Sequence, residues 1–331
     1  MVRVVNTPVS WYRTPLDKTV LMELHERSDW RGAFQTLGFL GILIVTGGTA
    51  MYSFRHWPWW ATGLLVFGHG MVASFYINGV HELMHGTVFR TKILNRIFYR
   101  VLLFFSWVDD LFEASHVRHH QYTLHPAEDG EVVLPIKIMV RDFFRDGFVA
   151  PHLAWKAIVK TIRQACGKFV GDWELSLCPA SDRVKRRRTI GWARTVLVGH
   201  GLILAVSIYY KLWLLPVLTT FAPFFGGWLF FLCNSTQHIG LQDNVPDFRL
   251  CCRTFYLNPF VRFLYWQMNY HTEHHMYAAV PCYKLGKLHQ LIKHDLPPCP
   301  RGIVATWREI AAIQKIQETN PAYQHVAPLP N

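Results

Sequence analysis

Charged residues are scarce in this chain of 331 residues, since only 17% are Asp, Glu, Lys or Arg. Soluble domains usually contain about 25%. Acidic residues are the scarcer kind, with 22 of them against 34 basic ones. The basic surplus is not accompanied by a recognition motif of interleaved aromatic and basic side chains, so it does not indicate a nucleic-acid-binding protein.

Cysteines and cofactor motifs are also few. The seven cysteines include a single adjacent pair, Cys251 and Cys252, and show no iron–sulfur spacing. An odd, unclustered set is typical of a reducing compartment and excludes a disulfide framework. The sequence has neither a G-x-G-x-x-G dinucleotide fingerprint between a strand and a helix nor a His-Pro-Gly-Gly haem signature. Electrons for a redox reaction would therefore have to come from another protein.

Apolar residues, in contrast, are gathered in long runs. Residues 34–52, 57–80 and 213–233 contain no charged residue, and residues 192–210 contain only Arg194. About 20 such residues cross the hydrocarbon core of a bilayer as a helix. Uncharged runs of this length are rare in the buried helices of soluble proteins. We therefore predict an all-α integral membrane protein with four transmembrane helices.

The basic residues indicate how these helices are oriented. Arg55 and Lys211 lie in the two short turns, and all other basic residues lie before the first run, between the second and third, at the start of the third or after the fourth. Basic residues collect on the cytoplasmic side. This places an N-terminal segment (1–33), a connector (81–191) and a tail (234–331) in the cytoplasm, with a membrane domain covering residues 34–331. The net charge of +12 is then mainly a topology signal.

Half of the 18 histidines lie in four short elements. The first is an HxxxH box, the second and third are HxxHH boxes, and the fourth is one histidine four residues after Asn234. Neutral imidazole is the commonest protein ligand of first-row transition metals, and nine are too many for one tetrahedral zinc. They suit two neighbouring metals with four to five ligands each. The candidate ligands are His81, His85, His116, His119, His120, His238, His271, His274 and His275.

All four elements lie in the predicted cytoplasmic segments, so they can converge on one membrane face and form a histidine-rich helical cap. Residues i, i+3 and i+4 of a helix share a face, which lets one box direct several imidazoles to one site. A ligating histidine usually donates its second N–H to a carboxylate or carbonyl. We expect one or two of the nearby acids to accept this hydrogen bond, and the alternative for each is a solvated surface charge. The candidates are Glu82, Glu113, Asp129 and Glu273.

In their order, spacing and membrane placement, these boxes resemble those of the membrane fatty acid desaturase superfamily, which includes alkane hydroxylases and carotenoid ketolases. The resemblance runs from about Met71 to Pro297. Asn234-x-x-x-His238 resembles the extra metal-binding element of acyl-CoA desaturases, which implies that His238 is a direct ligand and that Asn234 reaches the metal through water. The resemblance implies a non-haem centre of two Fe²⁺ ions that uses O2.

The resemblance favours an O2-dependent desaturase of a fatty acyl or related lipid chain. A hydroxylase or ketolase of an alkyl, terpenoid or polyketide substrate is the main alternative, and a zinc-dependent membrane hydrolase or receptor-like protein is another. A metal transporter is disfavoured, because it would place its polar ligands within the spans, whereas the candidate ligands here lie beyond the span ends. The expected partners are a lipid-like substrate and cytochrome b5, or a ferredoxin with its reductase, at the cytoplasmic face of the endoplasmic reticulum or a bacterial inner membrane.

The other histidines receive structural interpretations. His69 and His200 lie inside predicted spans, where we expect hydrogen-bonded packing roles. His125 is a candidate for orienting a ligand, and His289 is expected at the surface. Further helices are predicted at Ile93–Phe112, lying in the membrane interface, and in the tail at Tyr283–His294 and Ile303–Gln317.

Overall fold

The computed structural model describes residues 8–134 and 136–330 of the chain. Within these ranges the regular structure is helical, with only isolated β-bridges besides. This confirms the predicted all-α class. The α-helices are α1 (Lys18–His25), α2 (Asp29–His56), α3 (Trp59–Ala73), α4 (Tyr76–Met84), α5 (Lys92–Ser106), α6 (Phe112–Tyr122), α7 (Val140–Gly147), α8 (Pro151–Ala165), α9 (Asp172–Leu177), α10 (Arg183–Tyr209), α11 (Leu215–Thr219), α12 (Trp228–Asn234), α13 (Phe248–Cys251), α14 (Pro259–Leu264), α15 (His271–Met276), α16 (Cys282–Ile292) and α17 (Ile303–Thr319).

Three helical elements of the described chain are long and apolar enough to cross a membrane. They are α2, the continuous pair α3–α4 over Trp59–Met84, and α10. The side chain of Ser28 caps the start of α2, and the side chain of Asp182 caps α10, as expected for short polar residues that accept the first free N–H groups. The three elements contain the first three predicted spans almost entirely, and α10 begins nine residues earlier than predicted, at Arg183.

The predicted fourth span, residues 213–233, is wrong. This stretch is divided among α11, a 3₁₀ turn at Ala222–Phe224, and α12. Pro216 and Pro223 each lack a backbone N–H and disfavour a continuous helix. Gly226 has a positive φ of 69°, and a Cβ there would lie 2.3 Å from the carbonyl oxygen of Phe67. The run is as apolar as a span, but its backbone chemistry breaks the helix, leaving three candidate spans rather than four.

Two histidines of the candidate spans hold this broken segment against them. His69 Nδ1 lies 2.8 Å from Thr46 Oγ1, and its Nε2 lies 2.8 Å from the carbonyl oxygen of Leu218. His200 Nδ1 lies 3.0 Å from Thr220 Oγ1. Both rings are buried, so the predicted packing roles are confirmed. They pair with hydroxyl and backbone groups of the apolar elements that they join.

Helices outside the spans agree with the predictions to differing degrees. The two tail predictions correspond to α16 and α17. The helix predicted at Ile93–Phe112 is too long, because α5 ends at Ser106 and Trp107 adopts a left-handed conformation with φ 59°. This turn redirects the chain so that α6, which carries the second box, can begin at Phe112.

Candidate metal centre

The nine box histidines lie together in two adjoining groups. The five-histidine group consists of His81, His85, His116, His120 and His274. The four-histidine group consists of His119, His238, His271 and His275. Within each group the potential ligand atoms all lie within 4.8 Å of one another. The structure thus brings together all nine histidines from four distant parts of the sequence.

The boxes are divided between the groups in a complementary way. Box one gives both its histidines, from the end of α4, to the five-histidine group. Box two, on α6, gives its first and last histidines to that group and His119 to the other. Box three, on α15, does the reverse, since only His274 joins the five-histidine group. At about 100° per residue, i+4 lies about 40° from i round the helix, whereas i+3 lies about 60° from i in the opposite direction. The i+3 side chain can therefore reach the neighbouring group.

Ring nitrogens converge at the middle of each group. His120 Nε2 lies 2.9 Å from His116 Nε2 and 3.2 Å from His274 Nε2. In the other group, His238 Nε2 lies 2.9 Å from His271 Nε2. Within the described residues, three further Nε2 atoms are buried without a hydrogen-bond partner, those of His81, His85 and His275. Buried polar atoms seldom stay unpaired, and a cation at each centre would satisfy them. The donor set therefore fits two transition-metal ions.

Several of the outward-facing nitrogens have fixed partners. His119 Nδ1 lies 2.8 Å from Asp129 Oδ2, and His116 Nδ1 lies 2.7 Å from Glu131 Oε1. His81 Nδ1 lies 3.0 Å from Glu82 Oε1. Such contacts fix the tautomer so that Nε2 presents its lone pair to the centre. Two predicted acids, Glu82 and Asp129, are therefore confirmed as partners of box histidines.

Other partners differ from the prediction. Glu131 was missed, because no fixed sequence spacing links it to His116. Glu273 contacts His289 and Thr254 instead of a box histidine, and Glu113 has no hydrogen bond to a box histidine within the described chain. Backbone and hydroxyl groups serve two more of these histidines: the carbonyl oxygen of Cys251 lies 2.8 Å from His238 Nδ1, and Thr123 Oγ1 lies 3.1 Å from His275 Nδ1.

Burial keeps most of these imidazoles in their neutral, ligating form. It lowers the pKa of His238 to about 3 and lowers the pKa values of His120 and His271 well below the ordinary value. His119 is the exception: burial opposes its charge, but the hydrogen bond and charge of Asp129 raise its pKa overall. Neutral imidazole is the form that binds metals, so the site is suited to a metal near neutral pH.

Comparison with known protein families identifies the chain. The family model for fatty acid desaturases matches residues 12–307. The chain belongs to the fatty acid desaturase family. No curated protein matches it in sequence. This family is typically di-iron, and the two histidine groups are compatible with such a centre.

The two groups of this desaturase-family protein differ in exposure. All four members of the four-histidine group are buried, whereas His85 and His120 of the other group are only half-buried. A cleft of about 390 Å³ reaches one imidazole of each group, His120 and His275, and is also lined by Trp11 and Arg13. The two histidine groups are thus approached from the side on which the N-terminal segment lies.

Residues 8–16, here called the N-terminal strap, form a wall of this cleft. Trp11 donates from Nε1 to the carbonyl oxygen of Gln121 at 2.9 Å and stacks on Phe248 with ring centroids 4.0 Å apart. Arg13 Nε donates to the carbonyl oxygen of Met276 at 2.7 Å. The strap was not recognised in the sequence, because nothing local to it indicates that it packs against boxes more than a hundred residues away.

Asn234 is the last residue of α12 and is half-buried, four residues before His238; its contact through water stays a prediction. His125 Nδ1 lies 3.0 Å from the carbonyl oxygen of Thr123, whose hydroxyl contacts His275. The prediction for His289 is wrong, because this residue is fully buried rather than at the surface.

Proposed function

We propose that this protein is a membrane di-iron desaturase, which uses O2 to introduce a double bond into a fatty acyl or related lipid chain. The observation that carries the proposal is the convergence of nine buried or half-buried histidines into adjoining groups of five and four. Membership of the fatty acid desaturase family supports the reaction class. The proposed ligands are these nine histidines, with Asn234 acting through water.

The number of histidines favours two transition-metal ions over a single catalytic zinc, and membership of the family favours iron. A catalytic zinc site uses about three protein ligands and a water, far fewer than the nitrogens gathered here. Imidazole suits iron among other transition metals. Two bound irons would supply the redox chemistry by which O2 removes hydrogen from an unactivated C–H bond, which amino-acid side chains alone do not provide.

The residues of the chain would prepare the site for this chemistry. Burial keeps most of the imidazoles neutral, and Asp129 and Glu131 fix the orientation of His119 and His116. All four members of the four-histidine group are buried, while the cleft that reaches His120 and His275 leaves a route to both groups. Overall, the substrate loses two hydrogens, and O2 takes up these together with two electrons and two protons to give two waters.

The electrons would come from a separate donor, cytochrome b5 or a ferredoxin with its reductase. The substrate would enter from the membrane that α2, α3–α4 and α10 cross. Since box one ends the second spanning element, the metal site lies at the same face as the start of α2. By the distribution of basic residues this face is cytoplasmic, in the endoplasmic reticulum or a bacterial inner membrane.

The deciding experiment measures metals in the detergent-purified protein and then its products. We expect about two irons per chain, fewer in His119→Ala, and a lipid product that has lost two hydrogens when donor and O2 are supplied. A product that has gained one oxygen would replace the desaturase by a hydroxylase. About one zinc per chain with little iron would overturn the proposal in favour of a membrane hydrolase.

A further inference from the structure

His289 lies outside the boxes, on α16, and is fully buried. Its Nδ1 is hydrogen-bonded to the carboxylate of Glu273, and its Nε2 lies 2.9 Å from the hydroxyl of Tyr256. Glu273 is also fully buried, and its second carboxylate oxygen accepts a hydrogen bond of 2.5 Å from Thr254 Oγ1. Both ring nitrogens of His289 and both oxygens of Glu273 are therefore paired.

Glu273 stands inside box three but does not face the metal centre. It lies two residues after His271 and one before His274, so at about 100° per residue its side chain leaves α15 on a different face from theirs. The carboxylate is thus an anchor on the outer face of the helix that carries three candidate ligands.

The short length of α15 makes this anchor important. The helix has six residues, and isolated helices shorter than about 12–15 residues are marginal in water. Its orientation must therefore be fixed by what packs against it. Removing the partner of a buried carboxylate is costly, so loss of His289 would drive Glu273 to move and take α15 with it.

Any movement of α15 would displace candidate ligands of both metals. His274 belongs to the five-histidine group, whereas His271 and His275 belong to the four-histidine group. A buried histidine that only fills space in the core would have no such two-sided effect. The pairing of His289 with a carboxylate inside the box distinguishes the two roles.

We propose that His289 is a positioning residue of the metal centre, which acts through Glu273 to hold box three in register with both metal groups. This inference rests on the proposed function, since it requires metals at the two groups. Its distinctive consequence is that loss of His289 weakens the binding of both metals together.

The test is anaerobic titration of metal-free, detergent-purified protein with Fe²⁺, comparing the wild type with His289→Leu. We expect binding about tenfold weaker at both sites, the lower end of the range for outer partners of ligands. The absorption spectrum of the Co²⁺-loaded variant should change as well. His289→Asn, whose amide nitrogen can take the place of Nδ1, should restore most of the affinity. The matched control is His294→Leu, at an exposed position five residues later, which should bind as the wild type does.

The outcomes separate this inference from the proposed function. A wild type that binds no iron would overturn the proposed function. A wild type with two irons whose His289→Leu variant binds both equally well, or loses only one, would overturn the positioning role. If His289→Leu does not fold, His289→Gln decides, since its amide nitrogen can take the place of Nε2 beside Tyr256 but leaves Glu273 without the partner that Nδ1 provides. Weaker iron binding in that variant supports the role, and unchanged binding refutes it.

Discussion

Boxes two and three have the same HxxHH pattern but are held in place by different means. Box two lies on α6, which has 11 residues, and its outer partners Asp129 and Glu131 follow within fifteen residues. Box three lies on the six-residue α15, and Glu273 is held by Thr254 and by His289 of α16. Box two is therefore supported by residues near it in the sequence, and box three by a wider tertiary network. An identical ligand motif therefore does not imply an identical environment.

The largest expected effect comes from removing the one histidine by which box two joins the four-histidine group, or the one by which box three joins the five-histidine group. We expect His119→Ala and His274→Ala each to lower product formation by more than about 100-fold, beyond the range seen for outer partners. Iron should be lost mainly from the four-histidine group in the first variant and from the five-histidine group in the second. Product analysis and Mössbauer spectroscopy would measure both. Retained activity in either variant would refute the site assignment.

An intermediate effect is expected from Asp129→Asn, which tests the local support of box two. Asp129 accepts hydrogen bonds from His119 Nδ1 and from the backbone N–H groups of Leu124 and Glu131. We expect activity to fall by about 10- to 100-fold, with iron weakened mainly at the four-histidine group. Asp172→Asn, at an exposed position of α9, is the control. Equally weakened iron binding at both groups would show that the support given by Asp129 is not confined to the four-histidine group.

The smallest effect is expected from Thr254→Val, which keeps the side-chain shape but removes the hydroxyl. This hydroxyl donates to Glu273 and accepts from the backbone N–H of Thr272 at 3.2 Å. The groups left unpaired should cost about 2 kcal/mol of folding free energy. Because His289 still holds Glu273, iron stoichiometry should stay near that of the wild type. Thermal unfolding in detergent and iron analysis would test this, and loss of both irons would make Thr254 rather than His289 the main anchor.

The sequence predicted what depends on local pattern. Spacing within the boxes identified the nine histidines that converge, and long uncharged runs located α2, α3–α4 and α10. It failed where hydropathy and backbone chemistry disagree, as in residues 213–233, whose prolines and glycines interrupt an otherwise membrane-like run. It also failed for Glu131 and His289, since their partners are set by tertiary packing and not by any fixed spacing.

The N-terminal strap also affects the order in which the protein can be completed during synthesis. Thr14 donates to Asp295 at 2.7 Å and accepts from the hydroxyl of Tyr277, so the first described residues are fastened to parts of the chain made after box three. A chain that has just emerged as far as His275 already contains all nine histidines. Its strap still lacks Tyr277 and Asp295 as attachment points. The last contacts of the wall beside His120 and His275 can therefore form only after all nine histidines have been made.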